Sequence, residues 1–156
     1  MRTSSLLSAA LIATLAHQAW SEELPPSARP MPAASLRAAY SGKTLTNPKA
    51  QIYFAPDGSA IAYSRAHDTI GSGTWSASEG TLCSRLLWRG AGQSFSAVNC
   101  DHYMVDGTRV FHQFASNRFG VDAGWSSGSS ALGKLEPGDA VRAKYDALRA
   151  KLENGT

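Results

Sequence analysis

Charged residues are scarce in this chain and cysteines scarcer. Asp, Glu, Lys and Arg make up 17% of its 156 residues, and only Cys83 and Cys100 carry thiols. The 15 Lys and Arg against 12 Asp and Glu are scattered, with no basic run, which excludes the footprint of a nucleic-acid binder. No CxxC or HxxxH spacing is present, so a zinc site of the usual kind is excluded. Gly71-Ser72-Gly73 lacks the Lys-Ser/Thr and helix start of a phosphate loop, and no other cofactor motif is found. No Gly-x-Ser-x-Gly occurs, and Glu79, Asp101, Asp106 and Asp122 form no pair suited to glycoside hydrolysis. Long apolar runs are missing as well. Leu6 to Leu15 is far short of the ~20 residues needed to cross a bilayer.

That short run has another use. Arg2 precedes it, and Ala19-Trp20-Ser21 follows with small residues at the two positions a signal peptidase reads. Residues 1–21 are therefore predicted to be a secretory signal cut before Glu22, sending the chain to the periplasm or the medium. No cysteine lies near the cut to take a lipid anchor, so no stable membrane anchor is expected. About 135 residues remain, one domain's worth, with a net charge of +2 once Arg2 is gone. In an oxidising compartment the two cysteines are expected to pair, the competing readings being free thiols or metal ligands.

Residues 22–31 read as an extended leader, because Leu24–Pro32 holds four prolines in nine residues. Pro32 to Tyr40 reads as a short helix with Leu36 and Tyr40 on one face, ended by Gly42. Strands are then predicted at 51–55, 59–63, 73–77, 81–89, 94–105 and 108–114, with His67 to Ser72 a polar loop and a weak further strand within 118–125. Pro56-Asp57-Gly58 and Asp106-Gly107 mark turns. Residues 126–138 look like a Gly/Ser-rich linker. Asp139 can cap a helix through Glu153 whose Val141, Tyr145, Leu148 and Leu152 form one apolar stripe. The expected fold is mainly β: an antiparallel meander of six or seven strands over 32–125, curled toward a partial barrel, with a short N-terminal helix and an amphipathic C-terminal one.

Closing one hairpin with Arg89 opposite Ser94 sets Trp88 against Phe95 and Cys83 against Cys100. The turn and the cysteines thus agree on one register. Closing the next at Asp106-Gly107 sets Tyr103 against Val110 and Asp101 against His112. One face then carries Leu82, Leu86, Trp88, Phe95, Ala97, Tyr103, Val105, Val110 and Phe114, interrupted by Ser84, Asn99, Asp101 and His112. Buried polar groups must be satisfied or wet, so this interruption is a candidate cavity mouth. A Ser84–His112–Asp101 triad is rejected, because hydrolytic serines sit on exposed turns beside backbone oxyanion donors.

Pro30-Met31, Leu36-x-x-x-Tyr40-Ser-Gly42-Lys-Thr44, Tyr53-Phe54-x-Pro-Asp57-Gly58, Gly73-x-Trp75 and Gly80-Thr-Leu-Cys83 follow in order, with a second cysteine at 100. This set, over about 28–114, resembles the exported proteobacterial proteins grouped as domain of unknown function 995. The resemblance implies an exported single domain and no particular activity. The expected function is non-enzymatic: binding of a small apolar or saccharide ligand on the concave sheet face, at Trp75, Trp88, Ser84, Asn99, Asp101, Tyr103 and His112. The alternative is a protein-interaction module that docks on an envelope protein through the terminal helix or the edge strands.

Overall fold

A computed structural model describes residues 22–116, 124–128, 132 and 134–155. The proposed signal, residues 1–21, lies outside the described residues, as does most of the weak strand expected at 118–125. The rest is an antiparallel β-sheet curled into a half-barrel with two helices.

The chain order is β1 (Arg29–Pro30), α1 (Ala33–Tyr40), β2 (Lys43–Thr46), β3 (Ala50–Phe54), β4 (Ser59–Ser64), β5 (Thr69–Ser78), β6 (Thr81–Gly90), β7 (Gln93–Asp106), β8 (Arg109–Ser116), β9 (Ser126–Ser127), β10 (Lys134–Pro137) and α2 (Arg142–Glu153). Strands β2 to β9 pair in sequence, and β10 returns to the free edge of β2. The meander is as expected, but its strand number is larger. β2 escaped the sequence reading because Lys43-Thr44-Leu45-Thr46 offers a single aliphatic residue. β5 starts at Thr69, inside the expected polar loop, because Ile70 pairs with both Tyr63 and Arg89.

Two segments first read as unpacked are parts of the sheet. Within the leader, Arg29 and Pro30 pair with Val105 and Met104, beyond the point where β6 begins. Met31 donates its amide to the Tyr103 carbonyl at 3.0 Å, and Ala28 and Met31 are buried. Proline has no amide to give, yet it fits here because the segment is short and lies at an edge. Within the presumed linker, Lys134 to Pro137 pair with Thr46 to Lys43, and Ser126 and Ser127 pair with His112 and Phe111. Ser, Gly and Pro disfavour strands locally, but free edges of β2 and β8 supply backbone partners that no propensity scale registers.

The hairpin register is as expected where the cysteines lie. Trp88 opposes Phe95, and Cys83 opposes Cys100 with Cα atoms 4.1 Å apart and the sulfurs bonded. The turn is tighter than the four-residue loop read from sequence, since Gly90 also pairs with Gln93. The next hairpin differs by two residues. Asp106 pairs with Arg109, so the turn is Gly107-Thr108 rather than Asp106-Gly107. Gly107 has φ +60°, the left-handed value that the first position of such a turn requires. The shift is even, so every side chain keeps its face. Partners change: Tyr103 opposes His112, and Asp101 opposes Phe114.

The inner face holds the main core, in which Leu36, Tyr40, Phe54, Trp75, Leu82, Leu86, Trp88 and Tyr103 pack together. Helix α1 contributes Leu36 and Tyr40 to it. Outside, α2 lies on β4 and β5. Val141, just before it, and its Tyr145 are buried with Ile70, and Tyr53, Ile61, Tyr63, Leu148 and Leu152 border them. Burial of this kind is worth about 1.5–3 kcal/mol per large side chain. Asp139 caps the helix as expected, its Oδ1 accepting the amides of Val141 at 3.0 Å and Arg142 at 2.9 Å. Thr44 Oγ1 ties the approach down, donating to the Gly138 carbonyl and accepting from the Ala140 amide. The apolar stripe is therefore core within this domain.

Candidate functional site

Alternation along β6 and β7 aims Leu82, Ser84, Leu86 and Trp88, and then Asn99, Asp101 and Tyr103, at the interior. At the α1 side this interior is filled. Trp75 is buried, and its indole N–H donates to the Ala55 carbonyl at 2.8 Å. Phe54 meets both the Trp75 and Tyr40 rings edge to face. The Tyr40 and Tyr103 hydroxyls bond at 2.6 Å, and Tyr40 donates to the Leu132 carbonyl at 3.3 Å. Burial pushes the Tyr40 hydroxyl up to about 12, although its bond with Tyr103 opposes the rise. Burial also raises Tyr103 far above the ordinary tyrosine range, with Tyr40 and Asp101 adding to the effect. Both rings are locked as neutral hydrogen-bonding groups of the core.

Farther along the sheet the filling stops. A pocket of about 320 Å³ opens between the β2–β3 corner and β6 to β8. Leu45, Ile52, Phe54, Leu82, Trp88 and Phe114 form its apolar wall, and Ser84, Asn99 and Asp101 interrupt it. Asn47, Pro48 and Lys49 lie at the exposed rim. Its volume lies at the small end of the range for ligand sites, about 300–1,000 Å³. Trp88 can lie flat in this wall because β5 has glycine beneath it. A Cβ on Gly71 would stand 3.2 Å from the indole ring. Gly73 lets the sheet curl, since a Cβ there would come 2.0 Å from the Arg85 carbonyl oxygen.

The expected site residues thus divide. Trp88, Ser84, Asn99 and Asp101 line the pocket together. Trp75 and Tyr103 belong to the packed core instead, because α1 and the Trp75 ring fill the space they border. His112 stacks on Tyr103 with ring centroids 4.9 Å apart and is not part of the pocket lining. It does not oppose Asp101 as expected but reaches it diagonally, Nε2 standing 3.6 Å from Asp101 Oδ2. His112 Nε2 and Asp101 Oδ1 are both buried without a hydrogen bond, so Ser84 is not linked to this imidazole nitrogen as a triad requires. The sequence reading missed the β2–β3 side of the pocket: Leu45, Ile52, Phe54, and Asn47 to Lys49. Only the Ala50–Phe54 alternation could have hinted at it.

A wider cleft of about 540 Å³ lies on the outer side, where Arg89 and the β6–β7 turn face Arg149, Lys151 and Glu153 of α2. Arg149 is already flanked by Asp146 and Glu153, both 3.8 Å away. Of the cleft's cations, Arg149 is thus paired within the helix. Among the described residues, no group of three or more His, Cys, Asp or Glu could hold a metal ion, and no helix is long and apolar enough to cross a membrane.

The family model described as protein of unknown function (DUF995) matches residues 6–120. The chain belongs to this family. The match covers α1 and β1 to β8, and so every residue that lines the interior pocket, whereas β9, β10 and α2 follow it. No curated protein and no solved structure matches the chain.

Proposed function

We propose that this protein is a non-catalytic binder of a small, mainly apolar ligand, held in the pocket between the β2–β3 corner and β6 to β8. One observation carries the reading: a half-barrel packed solid at its α1 side leaves about 320 Å³ unfilled at the other, walled by aliphatic and aromatic side chains. Phe114 and the rim residues Asn47, Pro48 and Lys49 are exposed, so the space is open for a ligand to enter. The other reading from sequence is docking through the terminal helix or the edge strands; burial of Val141 and Tyr145 against this domain's own sheet speaks against the helix as the docking surface.

Fluorescence titration with N-phenyl-1-naphthylamine tests the proposal. The native protein should bind about one equivalent saturably, with a dissociation constant of about 1–100 µM for a probe of this size. Ala50→Trp, which places an indole in the pocket wall, should abolish binding. Leu87→Lys, on the outer face, should leave it unchanged. Absence of saturable binding, or equal binding by Ala50→Trp, refutes the assignment.

We also propose that the chain is exported and cut before Glu22. The signal-like pattern of residues 1–21 and the Cys83–Cys100 bond support this reading, since such bonds persist in oxidising compartments. Sequencing of the mature N-terminus from the periplasmic fraction or medium should begin at Glu22. An uncut Met1 in the cytoplasm would refute it.

A further inference from the structure

Resting on the pocket-binding reading above, we propose that the ligand carries a protonated amine, presented to Asp101 at the polar end of the pocket, behind an apolar alkyl or arylalkyl body.

The argument starts from what Asp101 lacks. Its Oδ1 is buried and accepts no hydrogen bond. An ionised carboxylate held away from water without donors is costly, and a charge-assisted N–H is the strongest way to offset that cost. The protein's own nearest candidate makes only a long contact with the other carboxylate oxygen. His112 Nε2 stays 3.6 Å from Oδ2, beyond hydrogen-bonding distance, and its ring is held in a stack with Tyr103.

The other lining groups narrow the choice of ligand. Asp101 and Lys49 are the charged residues lining the pocket, and Lys49 stands at the exposed rim. An anionic head group driven to the polar end would meet a like charge with little water to screen it. A neutral body without N–H or O–H would leave Asp101 unmatched. An ammonium matches the charge, and turning the Asp101 carboxylate toward the pocket would give its buried Oδ1 the missing donor. Ser84 and Asn99, opposed across β6 and β7, border the same end and offer acceptors to the remaining N–H bonds. The apolar body then lies along Leu45, Ile52, Leu82, Trp88 and Phe114.

The test compares head groups on one tail. Decylammonium, decanol and decanoate, below their aggregation thresholds, compete with bound N-phenyl-1-naphthylamine. Decylammonium should displace the probe at a concentration at least ten-fold lower than decanoate, with decanol between them. Asp101→Asn should bring the three within about three-fold of one another. The wild-type comparison needs no variant, so a poorly folded Asp101→Asn protein does not block the test. If the probe binds but decanoate competes as well as decylammonium, the amine assignment is overturned and the apolar pocket stands. A preference that survives in folded Asp101→Asn overturns it too. If the probe itself does not bind, the pocket reading falls, and this inference with it.

Discussion

Replacing Tyr40 with Phe should cost more stability than replacing Tyr103, although a single hydrogen bond joins their hydroxyls. The two rings are about equally buried, and the bond is 2.6 Å long. Their second partners differ. Tyr40 also donates to the Leu132 carbonyl, so the shared bond is made by the Tyr103 hydroxyl donating to Tyr40. In Tyr103→Phe, the Tyr40 hydroxyl keeps its bond to Leu132. The loss is then one ordinary hydrogen bond, about 1 kcal/mol. In Tyr40→Phe, the Tyr103 hydroxyl is buried with no acceptor. The loss rises to the cost of an unmatched buried donor, up to about 3 kcal/mol, and the tie between α1 and Leu132 goes as well. The double variant removes both hydroxyls and should cost less than the two single changes added together. A difference of about 1 kcal/mol between the single variants corresponds to roughly 4 °C in thermal midpoint for a domain of this size. Urea unfolding followed by tryptophan fluorescence would measure all four proteins. A Tyr103→Phe cost equal to or above that of Tyr40→Phe would refute the donor assignment, and with it this account of the Tyr40 end of the core.

The same pair predicts alkaline unfolding. The folded Tyr40 pKa is raised from 10.0 to about 12, so its contribution is complete below pH 10 and fades as pH rises toward 12, by about 3 kcal/mol. A stability flat from pH 9 to 12 would contradict it. Reducing the Cys83–Cys100 bond, which closes a 17-residue separation, should lower stability by about 3 kcal/mol, read by denaturant unfolding with and without reductant. Truncation after Ser130 removes β10 and α2, uncovering Ile70 and the edge of β2; it should lower the thermal midpoint by more than 10 °C or prevent folding, and an unchanged midpoint would show α2 to be an appendage. Gly73→Ala should cost about 2–3 kcal/mol, because its methyl group would meet the Arg85 carbonyl oxygen, and a neutral result would mean the sheet curls elsewhere.

Local chemistry alone determined much of this protein. Period-two alternation from Leu82 to Trp88 set which residues face inward, and the cysteine spacing with a tight turn set the β6–β7 register. Asp139 and Asn154-Gly155 bounded the last helix, where Gly155 takes φ +69° past the C-cap. Even the mistaken turn at Asp106-Gly107 preserved the faces, because a two-residue shift leaves alternation intact. The tertiary structure decided what depends on a distant partner. Arg29–Pro30 and Lys134–Pro137 became strands because β7 and β2 had unpaired backbone to offer. The α2 stripe became core because Ile70, Tyr53 and Tyr63 stood opposite it. Six of the seven candidate side chains separated into packed core and pocket wall only when α1 filled one side of the half-barrel and the β2–β3 corner closed over the other. Whether an inward-facing side chain is core or binding surface depends on how much space the opposite wall leaves, and that space is a property of the closed sheet, not of any strand within it.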